Sequence, residues 1–229
     1  MRCAILQPSY IPWRGVFHQI HKVDLFIFYD DVQYDKHGWR NRNRIKTANG
    51  TIWLTIPVQS KGNTVQHSPI NSIRVVDHKW NAKHWTTIQL AYRKAPHFAT
   101  FAPLVERIYQ QRSELLAEFT IDSTVALARA LGIEHTRFLR SSTIPAGGQK
   151  TDRLIQLLQV VGATHYVSGP SAAAYIDPLQ FRAAGIGLEY MVYDYPEYEQ
   201  LYPPFDPQVS VLDLLFSVGP RALEYIVRQ

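Results

Sequence analysis

Two consecutive aspartates, Asp30-Asp31, follow five apolar residues, Leu25-Phe26-Ile27-Phe28-Tyr29. A carboxylate pair at a strand end can hold Mg²⁺, grip a ribose or sugar hydroxyl, or act as a general base. The same pair can also be a turn with an Asx cap. Further on, Arg40, Arg42, Arg44 and Lys46 alternate with Asn41, Asn43 and Ile45. In a strand, period two puts all four cations on one face. The guanidinium fork suits phosphate, and the asparagines can donate to phosphate or sugar oxygens. The competing reading is a solvated edge strand whose cations discourage aggregation.

Three polar loops could complete such a site. The first is Gln7-Pro8-Ser9-Tyr10-Ile11-Pro12-Trp13-Arg14-Gly15, between an apolar run and a helix-like stretch. A strand-loop-helix junction offers free backbone N–H groups and a positive helix end, both suited to phosphate. Gly15 permits close approach, Tyr10 or Trp13 can stack a base, and His18 and His21 follow one turn apart. The second loop is Gly147-Gly148-Gln149-Lys150-Thr151-Asp152. Its Lys150 stands at a helix start, where the macrodipole disfavours a cation unless an anion docks there. The third is Ser168-Gly169-Pro170-Ser171. Neither the dinucleotide glycine fingerprint nor the P-loop spacing occurs. His37 has no ligand spacing that would support zinc. The single cysteine, Cys3, lies in the first expected strand and reads as a buried thiol, and no intramolecular disulfide can form.

The elements that must position these groups read as alternating strands and helices. Strands are expected at Met1–Leu6, Leu25–Tyr29, Glu134–Leu139, Thr164–Val167 and Leu188–Tyr193. Helices are expected at Val16–Val23, Trp80–Arg93, Pro103–Phe119, from Asp122 or Ser123 to Leu131, and at Asp152–Val161. A short helix falls within Tyr175–Ala184, and two more are expected at Val209–Phe216 and Arg221–Val227. Asn49-Gly50 signals a hairpin turn before a strand at Thr51–Ile56. Asn71–Val76 reads as another short strand, and residues 61–63 as loop. The pattern is an α/β fold with a mainly parallel sheet and flanking helices. The 229 residues form one domain, with a β-rich insertion around residues 35–75.

The chain is 46% hydrophobic and carries a formal charge of +5, which points to anionic ligands. No apolar run approaches the roughly 18 residues that span a bilayer. The first residues do not read as a secretory leader, so the cytoplasm is the expected location.

Several segments together resemble the WbqC-like protein family of bacteria. They are Gln7-Pro8-x-Tyr10-x-Pro12-x-x-Gly15, Tyr29-Asp30-Asp31-Val32-Gln33-Tyr34 and Trp39-x-Asn41-Arg42-Asn43-Arg44-Ile45. Further pieces are Leu54-Thr55-Ile56-Pro57-Val58, Lys150-Thr151, Ser168-Gly169-Pro170-Ser171, Pro203-Pro204-Phe205 and Ser210-Val211-Leu212-Asp213-Leu214-Leu215-Phe216. The resemblance covers nearly the whole chain. It implies an association with O-antigen and other surface polysaccharides, and attachment of an amino-acid or acyl group to an amino sugar. The layout resembles the nucleotidylyltransferase and class I synthetase architecture more distantly. The His-x-Gly-His signature of that architecture is replaced here by Gln7-Pro8-Ser9-Tyr10.

The residues point to a nucleotide, nucleotide sugar or other phosphorylated small molecule as ligand, and the resemblance implies that the chain is a group-transfer enzyme of glycan biosynthesis acting on it. Asp30, Asp31 and Lys150 are the expected catalytic residues, with Asp30 and Asp31 as ligands for Mg²⁺ bound with a nucleotide. Gln7, Tyr10, Trp13, Gly15, His18, Asn41, Arg42, Asn43, Arg44, Thr151, Ser168 and Ser171 are the expected substrate contacts. Arg42, Arg44 and Lys150 would form an anion clamp. The alternatives are a metal-dependent glycosyltransferase and a non-enzymatic polyanion binder. Acidic neighbours Asp30, Asp31 and Asp35 weigh against nucleic acid as the partner.

Overall fold

A computed structural model describes residues 1–36, 38–59, 68–77 and 79–227. The readings of His37 and of residues 61–63 fall outside them. β1 (Arg2–Leu6) and β2 (Leu25–Phe28) pair in parallel, Cys3 beside Leu25 and Leu6 beside Phe28, with α1 (Arg14–His21) between them in sequence. β5 (Arg137–Arg140) adds in parallel outside β2. β6 (His165–Ser168) adds on the other side of β1, and β7 (Gly187–Tyr190) outside β6. The order is therefore β5-β2-β1-β6-β7, all parallel.

The central strands are apolar throughout because both faces are covered. Cys3, Ile5, Leu25 and Ile27 enter one core with α5 (Lys150–Val160) and α6 (Pro178–Ala183). Ala4, Phe26 and Phe28 enter the other. It is built with α1, α2 (Trp80–Tyr92), α3 (Phe98–Gln110), α4 (Leu116–Ala130) and α7 (Val211–Val218). Each buried Phe or Ile in these layers contributes about 1.5–3 kcal/mol. Cys3 is fully buried, which pushes its thiol up to about 12 and leaves it without nucleophilic character at neutral pH.

β3 (Arg42–Thr47) and β4 (Gly50–Thr55) form a separate antiparallel hairpin between β2 and α2 in sequence. Its inner face, Ile45 and Leu54, packs into the same core as α1. Among the described residues, no helix is long and apolar enough to cross a membrane.

Several expected elements differ. Pro103 does not open a helix. α3 begins at Phe98 and carries Pro103 inside it. The expected Pro103–Phe119 helix is broken at residues 111–115, because that stretch leaves the helix to pair with the 73–75 segment. Val75 N–H donates to Glu114 O and Leu116 N–H to Ile73 O, both at 2.9 Å. The expected Asn71–Val76 strand is accordingly reduced to single bridges, Arg74 to Leu115 and Val75 to Val58. The last expected helix is a 3-10 segment, Gly219–Tyr225, and β7 stops at Tyr190.

Candidate functional site

β1 is followed by β2 on one side, while β6 lies on the other, so the strand order reverses between β1 and β6. Open parallel sheets bind ligands in the crevice at the carboxyl ends of such a pair. A cavity of about 470 Å³ opens there. Leu6 and Ser168, the last residues of β1 and β6, lie in its wall with Trp13, Trp39, Tyr175 and Tyr193.

The first loop reaches this wall by a strained path. Ile11 has φ of 34°, unusual for a β-branched residue, and is 1% exposed. Asn43 on β3 holds it in place. Its Nδ2 donates to Tyr10 O at 3.0 Å and to Ile11 O at 2.8 Å. Its Oδ1 accepts from Arg44 N–H at 2.7 Å. Tyr10 N–H donates to Trp39 O at 3.1 Å, tying the loop to the approach of the hairpin. Gly15 matters for a different reason. The Trp13 indole folds back over it, and a Cβ there would stand 2.3 Å from the ring. A glycine at the second position of α1 thus lets Trp13 lie against the helix, where it meets the Tyr193 ring edge-on at 5.0 Å.

Two side chains in the cavity wall carry buried polar atoms with no hydrogen bond among the described residues. Arg40 has buried Nε and Nη1 atoms with no hydrogen bond, and Gln19 has a buried Oε1 with none. Burial pushes the Arg40 guanidinium down to about 10, against the pull of Asp35 and Tyr34; it remains a cation at neutral pH. Gln19 sits on α1, and its Nε2 donates to Val167 O at 2.9 Å. That bond fixes the amide's orientation, because a flip would set two acceptors against each other. Burial pushes the Tyr193 phenol up to about 12, so it is a neutral donor at the wall. The cavity therefore offers a cation with open donors, one buried acceptor and several aromatic faces.

The residues expected from sequence are distributed unevenly around this space. Trp13, Asn43, Ser168 and Ser171 line it. Tyr10 does not stack in it. It is fully buried in the helical core, bonded to His84 Nδ1 at 2.8 Å and Tyr109 OH at 2.5 Å. Gln7 is half-buried beside the cavity-lining Ser9. His18 bonds the Tyr195 hydroxyl at 2.9 Å. Asn41 donates to Ile56 O within the hairpin. Arg42 and Arg44 lie over the Trp53 ring at 4.8 and 5.7 Å. Arg44 also donates to Gln208 O and Oε1, which holds residues 200–208, a C-terminal strap without helix or strand, against the hairpin. Lys46, at 4% exposure, is tied to Gln200 Oε1 and Pro204 O.

Asp30 and Asp31 stand at the same sheet edge but beside β5, and neither lines the cavity. Asp30 is 1% exposed and caps the turn after β5. It accepts from Ser142 N–H at 3.0 Å, Ser142 Oγ at 2.8 Å and Ser141 Oγ at 3.1 Å. Asp31 accepts from Ser141 Oγ and from Arg153 Nη2, each at 2.5 Å. No group of three or more His, Cys, Asp or Glu side chains suited to a metal occurs among the described residues. Lys150 is exposed at φ of 51° and Thr151 is buried; neither lines the cavity.

Sequence reasoning passed over Gln19 and gave Arg40 no role apart from the stripe. Gln19 had a signal, being a polar residue three after Val16 and four before Val23 on a face that is otherwise apolar. Tyr193 closes the expected Leu188–Tyr193 strand and Gln208 precedes the expected Val209–Phe216 helix, and no pattern in the sequence marked either of them.

Residues 7–225 match the model of the WbqC-like protein family. A protein of Mycobacterium tuberculosis, named "Uncharacterized protein Rv1507c", is 43% identical over 227 residues, which is 98% of this chain and 97% of the relative. No solved structure matches the chain.

Proposed function

The chain belongs to the WbqC-like protein family, and from that premise we propose that it is a transferase of surface-glycan assembly whose substrate is nucleotide-linked or otherwise phosphorylated. The substrate's anionic part binds in the crevice between β1 and β6. Arg40 carries this reading: a cation with two buried donor atoms that make no hydrogen bond among the described residues stands in the wall of a cavity at the strand-order reversal. A phosphate oxygen would satisfy those atoms by charge-assisted bonds. Trp13 and Tyr193 offer faces for a base or sugar ring, and Gln19 Oε1 accepts from a hydroxyl or amine of the ligand. The resemblance supplies the concrete form, amide formation between an amino-acid or acyl group and an amino sugar.

The two alternatives find less support. A metal-dependent glycosyltransferase would use Asp30 and Asp31, whose carboxylates are engaged with Ser141, Ser142 and Arg153. A polyanion binder would use the β3 stripe, of which Arg44 and Lys46 are tied to the C-terminal strap.

The test is a thermal-shift screen of nucleotides and nucleotide sugars, with and without Mg²⁺, on wild type and Arg40→Ala. A ligand at 100 times its dissociation constant adds about 2.7 kcal/mol. For a domain of this size that raises the midpoint by about 5–11 °C. The reading expects such a shift in wild type and a much smaller one in the variant. No shift with any phosphorylated ligand, or equal shifts in both proteins, contradicts it.

A further inference from the structure

Of the five tryptophans, Trp39 and Trp53 are the exposed ones, at 42% and 49%. Trp53 lies on the outer face of β4, opposite Arg44 of β3, and Trp39 precedes the hairpin. Their ring centres stand 5.3 Å apart, with the planes inclined by 32°. The Arg44 guanidinium lies 6.0 Å from the Trp39 ring centre and 5.7 Å from that of Trp53. Arg42 lies 4.8 Å from the Trp53 ring centre. Trp39 also lines the first cavity, whereas Trp53 does not. The pair therefore starts at the cavity wall and continues outward onto the hairpin.

Tryptophan is highly buried on average, and neighbouring exposed apolar side chains mark an interaction surface. Arg44 holds these rings rather than awaiting an anion. It donates twice to Gln208, and its Nη2 comes within 4.0 Å of Asp206. Guanidinium groups against the indoles fix the rings before a partner arrives, which lowers the ordering cost of binding. The patch thus offers indole faces more than open charge. Those faces are negative and attract weakly positive C–H groups. A pyranose ring with equatorial substituents supplies them, because its axial hydrogens form an apolar face. The 5.3 Å between ring centres is close to the repeat of an extended chain of such rings, so successive sugars can meet successive indoles.

We propose that Trp39 and Trp53 form a stacking platform for consecutive pyranose rings of a neutral, equatorially linked glycan that leads away from the first cavity. The inference rests on the reading of a glycan substrate above and adds where its saccharide chain lies. Trp39 is shared between the cavity and the platform, and Trp53 serves the saccharide alone.

The experiment is a ¹H–¹⁵N titration of the tryptophan indole N–H resonances in the full chain, with no phosphorylated ligand present. The probes are chitotetraose, its single ring N-acetylglucosamine, and a short oligothymidylate. The Trp39 and Trp53 signals are assigned by their absence in Trp39→Phe and Trp53→Phe. Chitotetraose should move both signals saturably and bind roughly 10-fold or more tighter than the single ring, because two linked rings engage two indoles. Trp53→Ala should weaken it roughly 5-fold or more, the usual effect of truncating a tryptophan anchor, and Trp53→Phe, which keeps a ring, should weaken it less. Should Trp53→Ala fail to fold, the wild-type shifts and the affinity of Trp53→Phe decide. Four results would each overturn the proposal: no saturable shift with chitotetraose, tighter oligothymidylate than chitotetraose, unchanged affinity in Trp53→Ala, or shifts of both signals with protein concentration alone, which would give the face to a second copy of the chain. The arms also separate the platform from the cavity. A nucleotide effect that depends on Arg40, with no response to chitotetraose, removes the platform alone. Chitotetraose binding at Trp39 and Trp53, with no effect of any phosphorylated ligand, supports the platform and removes the cavity reading.

Discussion

Asn43→Ala removes the clamp on the first loop, and its cost can be worked from the contacts. The side chain makes three buried or half-buried hydrogen bonds, to Tyr10 O, Ile11 O and Arg44 N–H. At about 1 kcal/mol net for each, their loss costs about 3 kcal/mol. Part of this returns, because Ile11 is then free to leave its positive φ, and such strain amounts to roughly 1–3 kcal/mol. The net loss expected is at most about 2 kcal/mol, or at most about 4–8 °C in midpoint for a chain of this length. Asn43→Asp is the sharper variant. It keeps the volume and the acceptor for Arg44 but sets a carboxylate against two carbonyl oxygens. Urea denaturation of the three proteins, with midpoints and slopes compared, is the assay. If the hydrogen bonds matter, Asp is worse than Ala. If the site merely needs filling, Asp is milder than Ala, and that order would refute the reasoning.

Burial pushes His84 down to about 4 from the usual 6.5, so the unfolded chain takes up a proton that the fold refuses. Its contribution is complete above the unfolded value and is lost as pH falls through 6.5 towards about 4. The loss is on the order of 3 kcal/mol, and a His84→Gln variant whose pH–stability profile matches wild type would refute the assignment. Gly15→Ala places a Cβ 2.3 Å from the Trp13 ring and must displace it; the resulting change in tryptophan emission should vanish in a Trp13→Phe background, and a change that persists there contradicts the contact. Arg153→Met should cost about 1.5–3 kcal/mol, the worth of a hydrogen bond to a charged group, because the Arg153–Asp31 side chains are only 13% and 24% exposed; a urea midpoint equal to wild type would make the pair ornamental.

The parallel sheet was legible because its strands are buried on both faces. Leu25–Phe28 and Cys3–Leu6 have no polar residue to confuse the pattern, and chain order with parallel pairing put the first and third loops at one edge. Side-chain partners were not legible. Asp30-Asp31 looks the same in sequence whether it meets a metal or Ser141, Ser142 and Arg153, because those partners come from more than 100 residues away. The partners of the β3 stripe were hidden for a similar reason. Period two correctly set Arg42, Arg44 and Lys46 on one face, but that face is covered by the strap at Gln200, Pro204 and Gln208. The asparagines between them turned inward to satisfy backbone carbonyls. Arg40 precedes the first residue of β3, and strand periodicity says nothing about where it points.

The most direct measurement for the central claim is calorimetric titration of the nucleotide sugar or nucleotide identified by the screen into wild type and Arg40→Ala. Two or more charge-assisted bonds to phosphate are at stake, and one such bond is worth about 1.5–3 kcal/mol. The variant should therefore bind at least roughly 10-fold more weakly, with its thermal midpoint in the absence of ligand little changed. Equal affinity in the two proteins would mean that the phosphate does not meet Arg40, and the crevice between β1 and β6 would lose its claim to be the substrate site.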